Sequence, residues 1–276
     1  MKPVLAFVLS GGGSRGALQV GALRALYEAG IQPDLLAGSS VGAANSTFLA
    51  VHGYTAQGID RLARVWASTV DQDLLPTNLW WQLMRALFQR SSGISQQRIR
   101  DFAIANGVTP ELRFADLQGP RLFLVAADLN AGCPVVFGPD PQDTVLEAVL
   151  ASMTLPPWLA PVNKDGRYLV DGGFISNLPI EAAIQQGAAE IVALDLFNPN
   201  DVDLSARGLR PFIWKVDKIV EGRQVQLELE LARARGVRVR HIPLITEDPA
   251  PIWDFSHSLE LIEMGYQLTR QAMRAW

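Results

Sequence analysis

The chain has 276 residues, enough for one large domain, and its 49% hydrophobic and 19% charged residues exclude a disordered protein. The net charge is −4, from 24 basic and 28 acidic side chains, and no clustered basic stretch indicates a nucleic-acid partner. The one cysteine, Cys133, excludes both an intramolecular disulfide framework and a thiolate metal cluster.

Short apolar runs alternate with stretches of helical periodicity, a pattern typical of α/β proteins. The pattern predicts strands over 4–9, 35–37, 121–127, 134–137, 168–170, 191–196 and 237–242. It predicts helices over 17–29, 41–51, 56–70, 79–89, 96–106, 144–152, 180–186, 212–235 and 256–274. The expected fold is a three-layer α/β architecture, with a mainly parallel central sheet and helices on both faces.

The organisation of the chain predicts a single domain over residues 1–276, with a core over about 4–196 and a C-terminal extension of helices and a strand over 197–276. The first apolar run is too short for a signal peptide, and no run is long enough to span a bilayer. We therefore expect a cytoplasmic protein, with peripheral contact to a membrane left open. The sequence gives no indication of an oligomeric state.

A glycine-rich loop, Gly11-Gly12-Gly13-Ser14-Arg15-Gly16, follows the first predicted strand. It satisfies the G-x-G-x-x-G pattern of dinucleotide-binding loops, which also requires an acidic residue at the end of the second strand. Asp34 stands before that strand instead, which disfavours a dinucleotide. Successive glycines at a strand end expose unhindered amides, so Gly11, Gly12 and Gly13 predict an oxyanion hole. Arg15 either orients this loop, attracts an anionic head group or forms a structural salt bridge.

A second motif, Gly38-Ser39-Ser40-Val41-Gly42, follows the short second strand and precedes a helix of small residues. A G-x-S-x-G pattern between a strand and a helix is typical of a nucleophile elbow, in which flanking glycines leave room for a strained, exposed serine. The amides at the start of the helix favour negative charge near Ser40. The motif predicts Ser40 as a nucleophile, and an ordinary capped turn is the alternative.

A serine hydroxyl needs a neighbouring group that accepts its proton. Asp171, followed by Gly172 and Gly173, stands at the end of the predicted strand 168–170 and is one candidate, although Asp-Gly-Gly is also a common tight turn. A Ser–His–Asp triad is the other arrangement, because His241 and His257 follow Ser40 and Asp171 in the order seen in α/β-hydrolases. The residues alone leave both arrangements open.

Three motifs in this order resemble the signature of patatin-like phospholipases: Gly-Gly-Gly-Ser-Arg-Gly from Gly11, Gly-Ser-Ser-Val-Gly from Gly38 and Asp-Gly-Gly from Asp171. Further matches are Ala151-Ser152, the stretch Pro156–Pro161 and Asn177-Leu178-Pro179. The resemblance covers about residues 4–196. One departure is Ser39, where many members of the family carry threonine.

The resemblance implies a patatin-like fold and a hydrolase that cleaves acyl esters of (lyso)phospholipids or related lipids. It implies a dyad of Ser40 as nucleophile and Asp171 as base, an acyl-enzyme intermediate, and an oxyanion hole in the Gly11–Gly13 loop, without a metal or an organic cofactor. The motif places these residues in supporting positions: Arg15, Gly16, Gly38, Gly42, Gly172 and Gly173.

The motifs do not separate hydrolysis from acyl transfer to another acceptor or from thioesterase activity, because all three pass through an acyl-serine. A non-catalytic lipid-binding module on the same scaffold is the alternative from another class. The expected partner is a lipid or acyl-ester substrate, with transient contact to a membrane surface and no nucleic acid.

An apolar stripe marks the predicted helix over 79–89. One face of that helix carries Trp80, Leu83, Met84, Leu87 and Phe88. Polar side chains occupy the opposite face. The stripe is interpreted either as a face packed against the core or as a lid that lines the acyl pocket and contacts lipid.

Overall fold

A computed structural model describes residues 3–69, 93–156, 159–199, 208–247 and 252–276. The strands are β1 (Leu5–Leu9), β2 (Leu35–Ser39), β3 (Arg121–Asp128), β4 (Cys133–Phe137), β5 (Val162–Lys164), β6 (Arg167–Asp171), β7 (Glu190–Asp195) and β8 (Arg238–Pro243). The helices are α1 (Gly16–Glu28), α2 (Val41–His52), α3 (Ala56–Ser68), α4 (Gly93–Ala105), α5 (Val145–Ser152), α6 (Ile180–Gln185), α7 (Leu209–Ala234) and α8 (Ser258–Met273).

The described strands form one mixed, eight-stranded sheet in the order β5-β6-β3-β2-β1-β7-β8, with β4 paired to β3 outside this path. The pairs β1–β2, β1–β7, β2–β3 and β7–β8 are parallel. The hairpin strands β4, β5 and β6 pair antiparallel to their neighbours. Helices cover both faces, and the predicted three-layer α/β fold is confirmed.

Alternate side chains of β1 point into two separate hydrophobic cores, as the two-residue period of a strand requires. Phe7 and Leu9 pack into the core that contains side chains of α1, α2, α3, α5 and α8. Ala6 and Val8 pack into the opposite core, which contains side chains of α6 and α7. The central strands β1, β2 and β3 are therefore buried on both faces over nearly all of their length.

Two strands meet end to end along one edge of β3. Val125 pairs with Ser39 of β2, and the next residue, Ala126, pairs with Asp171 of β6. Because β4 pairs with both Val125 and Ala126 from the other edge, β2 and β6 share the same edge. A Cβ on Gly172 would lie 2.2 Å from the Val125 backbone oxygen and 2.4 Å from Ser39 Oγ, so only glycine fits at this junction.

The C-terminal residues 197–276 contribute to all three layers. They supply β8 to one edge of the sheet, α7 to one face and α8 to the other. Helix α8 packs closely along α1, where a Cβ on Gly21 would lie 1.8 Å from the backbone oxygen of Ile262. Within the described part of the chain, no helix is long and apolar enough to cross a bilayer.

The element boundaries predicted from sequence differ from those of the described elements by no more than a few residues. Strand β5 was not predicted, because its three residues carry no readable alternation. The predicted helix over 79–89 lies outside the described residues, and so do Trp80, Leu83, Met84, Leu87 and Phe88.

Candidate active site

Ser40 occupies the turn between β2 and α2, with backbone angles of φ 53° and ψ −125°. These angles are costly for a residue that carries a Cβ, and such strain clusters at functional turns. A Cβ on Gly42 would lie 2.1 Å from the backbone oxygen of Leu9, so glycine allows α2 to begin directly against the end of β1. The turn places Ser40 on the wall of a cavity rather than inside the helix.

The hydroxyl of Ser152, at the end of α5, holds this turn in place. It accepts a hydrogen bond of 3.1 Å from the Ser40 amide and donates one of 2.6 Å to the backbone oxygen of Val125. Ser152 is fully buried, so these bonds form away from water. The Ser40 amide is therefore already engaged.

Asp171 lies at the end of β6 and contacts the Ser40 hydroxyl directly. Its Oδ2 accepts a hydrogen bond of 2.7 Å from Ser40 Oγ, and its Oδ1 accepts one of 2.8 Å from the Gly173 amide. Burial raises the pKa of the Asp171 carboxyl to about 6, although both hydrogen bonds oppose the rise; the charge of Asp217 adds to it. The carboxylate is consequently a stronger base than an exposed aspartate.

The three histidines lie away from Ser40. His241 is hydrogen-bonded to Asp195 at 2.8 Å, and His52 contacts a backbone oxygen. None of the three lines the cavity that contains Ser40. Among the residues that the structure describes, no group of three or more His, Cys, Asp or Glu side chains could hold a metal ion.

The glycine-rich loop passes close to Ser40. A Cβ on Gly11 would lie 2.9 Å from the Ser40 Cβ, and Gly13 has a φ of +60°, a conformation that favours glycine. The Gly11 amide donates a hydrogen bond of 3.1 Å to the backbone oxygen of Asn177. Across the described ranges, no backbone hydrogen bond uses the amides of Gly12 or Gly13. Of the three amides expected to bind an oxyanion, these two remain as candidates.

Arg15 supports the glycine-rich loop with its buried side chain. The side chain is 2% exposed, and its Nε donates a hydrogen bond of 3.3 Å to the backbone oxygen of Gly12. Arg15 also lines the cavity. Burial raises the pKa of the nearby Glu221 carboxyl; the positive charge of Lys218 opposes this rise, and that of Arg15 opposes it more weakly. Arg15 thus orients the loop and adds positive charge to one wall of the cavity.

Asn177 links the glycine loop, the loop after Asp171 and α7. Its backbone oxygen accepts from Gly11, and its Nδ2 donates a hydrogen bond of 2.8 Å to Glu221 Oε1. Its own amide donates to Gln224 Oε1 at 3.2 Å. The sequence marked Asn177 only as part of a supporting match, because its partners on α7 are distant in the chain.

A cavity of about 420 Å³ adjoins Ser40 and Asp171. Most of its wall is apolar and comes from α2 to α5, including Phe48, Leu62, Trp66, Ile99, Phe102 and Met153. A second wall is charged and comes from Asp217, Lys218 and Glu221 of α7. Cavities of this size and lining bind small apolar ligands that a few polar groups orient. The sequence did not indicate these residues, since they are scattered over several helices.

The model of a protein family described as patatin-like phospholipase matches residues 7–184, which is more than half of the chain. Similar curated proteins include Patatin-like phospholipase domain-containing protein 6 of Mus musculus, 28% identical over 99% of this chain, and Neuropathy target esterase sws of Drosophila melanogaster, 30% identical over 74% of it. The chain spans only 21% and 14% of the lengths of these two relatives.

Two solved structures have a similar fold. VipD from Legionella pneumophila aligns with a TM-score of 0.52 and 15% identity, over 100% of this chain and 67% of that chain. Human GIVD cytosolic phospholipase A2, in complex with methyl gamma-linolenyl fluorophosphonate, aligns with a TM-score of 0.55 and 14% identity, over 99% of this chain and 59% of that chain. At these identities the likeness establishes the fold.

Proposed function

The chain belongs to the patatin-like phospholipase family, and from this premise we propose that it is a serine acyl hydrolase acting on acyl esters of (lyso)phospholipids or related lipids. The observation that carries the proposal is the 2.7 Å hydrogen bond from Ser40 Oγ to Asp171 Oδ2 beside an apolar cavity. Relatives named as a patatin-like phospholipase and a lysophospholipase support lipid esters as the substrate class.

In the first step that we propose, Ser40 Oγ forms a bond to the ester carbonyl carbon while its proton moves to Asp171 Oδ2. The carbonyl electron pair moves onto the oxygen, and the amides of Gly12 and Gly13 are the donors that bind this oxyanion. One such donor contributes about 3–4 kcal/mol to the transition state. The glycine loop therefore matters for the rate about as much as the base does.

The tetrahedral intermediate then expels the alcohol portion of the lipid. The bond from carbon to the leaving oxygen breaks, and protonated Asp171 returns its proton to that oxygen, which leaves an acyl ester on Ser40. Water next attacks this ester as Asp171 accepts its proton. Collapse of the second intermediate releases the fatty acid and returns the proton to Ser40.

The burial of Asp171 suits it to the role of base. Its pKa of about 6 leaves the carboxylate ionised at neutral pH while making it more basic than an exposed aspartate. Since the protonated form cannot accept the Ser40 proton, kcat/KM is expected to fall as the pH drops through about 6.

The two walls of the cavity suggest how a lipid would be oriented. The apolar wall from α2 to α5 suits the acyl chain, since each buried methylene contributes about 0.8 kcal/mol of binding. The charged wall formed by Arg15 and by Asp217, Lys218 and Glu221 suits the polar part of the substrate. The ester then lies between the walls, where Ser40 and Asp171 meet.

The test measures fatty-acid release by the purified chain from lysophosphatidylcholine, phosphatidylcholine, a monoacylglycerol, an acyl thioester and p-nitrophenyl butyrate. We expect release from at least one oxygen ester, and a loss of about a thousandfold or more in Ser40→Ala and in Asp171→Asn, each with an unchanged circular dichroism spectrum. Release by Ser40→Ala at a rate near that of the wild type would refute the nucleophile. Lipid binding by the wild type without any release would favour a non-catalytic module.

A further inference from the structure

The N-terminal part of helix α7 is amphipathic in the opposite sense to most helices that pack on a sheet, whereas further along the helix Val225 and Ala232 pack into the core. Three of its buried positions carry charged side chains, namely Lys218, Glu221 and Glu228. Its exposed positions carry Phe212 (62% exposed), Ile213 (57%), Val216 (45%), Ile219 (71%) and Val220 (48%). We call these five residues the α7 apolar stripe. A helix of a water-soluble domain normally has its apolar side chains facing the core.

Polar contacts explain why the charged face of α7 points inward. Lys218 pairs with Glu221, and Glu221 also accepts the hydrogen bond from Asn177. Two turns further, Glu228 accepts from the Ser176 hydroxyl and, at 2.7 Å, from the Glu181 amide. Rotation of α7 to bury the stripe would break these bonds and leave the buried side chains of Ser176 and Asn177 without their partners on α7, which is destabilising. The stripe is thus held at the surface by the contacts that attach α7 to the loop after Asp171.

The stripe is compact enough to act as one surface. Its residues recur at intervals of three and four along the helix, so they share one face. The span from Phe212 to Val220 is about 12 Å at the rise of an α-helix. Contiguous apolar surface of this kind on a water-soluble protein marks a site of interaction with a partner or a membrane.

The position of the stripe identifies its partner. Ile213 belongs to the stripe and also lines the cavity that contains Ser40, and exposed Phe174, from the loop after Asp171, lines the same cavity. Apolar surface therefore continues from the stripe into the cavity. Arg223, one turn beyond Ile219, has a side chain that is 57% exposed and lies 4.0 Å from the Glu230 carboxylate; such a surface pair is weak, so the guanidinium can exchange this contact for a lipid phosphate. A lipid surface matches both the apolar side chains and this cation.

We propose that the α7 apolar stripe rests on the surface of a lipid aggregate and opens a direct path for an acyl chain into the cavity at Ile213; this inference rests on the proposed function. Binding is driven by apolar contact, because the net charge of −4 provides no general attraction to anionic lipids. It is therefore expected with zwitterionic lipid and at high salt, which screens charge but not apolar contact.

The experiment measures co-sedimentation with phosphatidylcholine vesicles and hydrolysis of the vesicle lipid. The variant is Ile219→Ser with Val220→Ser, since neither residue lines the cavity. We expect it to bind vesicles about tenfold or more weakly and to hydrolyse vesicle lipid correspondingly slowly. Hydrolysis of the monomeric ester p-nitrophenyl butyrate is expected to stay at the wild-type rate, which also confirms that the variant folds.

The matched control is Leu259→Ser on α8, which removes a 68% exposed leucine that does not line the cavity and is expected to leave vesicle binding unchanged. Equal binding by the wild type and the double variant, or no binding by the wild type, would overturn the proposal. So would a dimer that light scattering finds in the wild type and not in the double variant, because the stripe would then be an interface between copies.

Failure of the proposed function would give a different set of results. A wild type that hydrolyses neither lipid nor p-nitrophenyl butyrate would refute the proposed activity, and the co-sedimentation result would still decide the role of the stripe. Co-sedimentation of Ser40→Ala at the wild-type level would confirm that binding to the vesicles does not depend on turnover.

Discussion

The two walls of the cavity beside Ser40 differ in what holds them in place. The apolar wall consists of side chains such as Phe48, Leu62 and Ile99, which belong to the larger hydrophobic core and are less than 9% exposed. The charged wall consists of Arg15 and of α7 side chains, and burial raises the pKa of both Asp217 and Glu221. The apolar wall stabilises the fold as it forms the cavity, whereas the charged wall costs desolvation energy.

This difference indicates that the two walls serve different parts of the proposed reaction. Burying an apolar side chain contributes about 1.5–3 kcal/mol, so the apolar wall would be retained for stability alone. A buried carboxylate is tolerated only when it is paired, as Glu221 is with Lys218 and Asn177. The charged wall is therefore better explained by what it positions than by a contribution to stability.

Among changes to the two walls and their supports, the largest effect is expected from Asn177→Ala, which removes the side chain that is bonded to Glu221 and lies against Gly11 of the glycine loop. A shift of this loop misplaces the oxyanion donors, and a displacement of about 1 Å costs about a hundredfold in rate. We expect kcat to fall about 10- to 100-fold with little change in KM, measured on a soluble ester. The control is Asn163→Ala, at an exposed asparagine of β5 that does not line the cavity. A kcat within about twofold of the wild type would show that Asn177 does not position the loop.

A smaller effect is expected from a bulky side chain that fills part of the cavity beside the apolar wall. This effect should depend on the length of the acyl chain of the substrate. Ala103 of α4 lines the cavity, so Ala103→Trp should exclude long acyl chains. We expect kcat/KM for a long-chain ester to fall about tenfold, while that for p-nitrophenyl butyrate stays within about twofold. The control is Ala105→Trp, two residues along the same helix at an exposed position outside the cavity lining. Equal losses for long and short chains would place the acyl chain elsewhere.

The smallest effect is expected from Asp217→Asn. The charge of Asp217 helps to raise the pKa of the Asp171 carboxyl, so its removal should lower that pKa and keep the base ionised at lower pH. The acid limb of the profile of kcat/KM against pH should then move to lower pH, with activity at pH 5 about twofold higher relative to the plateau. Asp140→Asn, at an exposed position, is the control. An unmoved limb, or a shift to higher pH, would contradict this coupling.

The sequence predicted the parts of the site that local motifs define. Each motif stands where a strand ends. Gly38 and Gly42 on either side of Ser40 indicate the tight turn that holds it, whereas Asp171, which Gly172 and Gly173 follow, was singled out by the resemblance to the family. The motifs could not indicate how Asp171 and Ser40 come into contact. Asp171 reaches Ser40 from β6, a strand that runs antiparallel to β3 and meets β2 end to end.

The remainder of the site depends on contacts between distant segments. The bond from Asn177 to Glu221 joins residues 44 positions apart, and no local pattern links them. The cavity wall likewise combines single side chains from several helices, each of which looks like an ordinary core residue in the sequence. The engagement of the Gly11 amide by Asn177 is also invisible without coordinates, because it is a backbone contact.

The most direct test of the central claim is covalent labelling with an alkyl fluorophosphonate, followed by intact mass and peptide mapping. Ser40 Oγ would attack phosphorus, form a P–O bond and displace fluoride as its proton passes to Asp171. We expect one adduct on the wild type, located at Ser40, none on Ser40→Ala, and labelling of Asp171→Asn slowed by about a hundredfold or more. An adduct at another residue, or labelling of Ser40→Ala at the wild-type rate, would contradict the account.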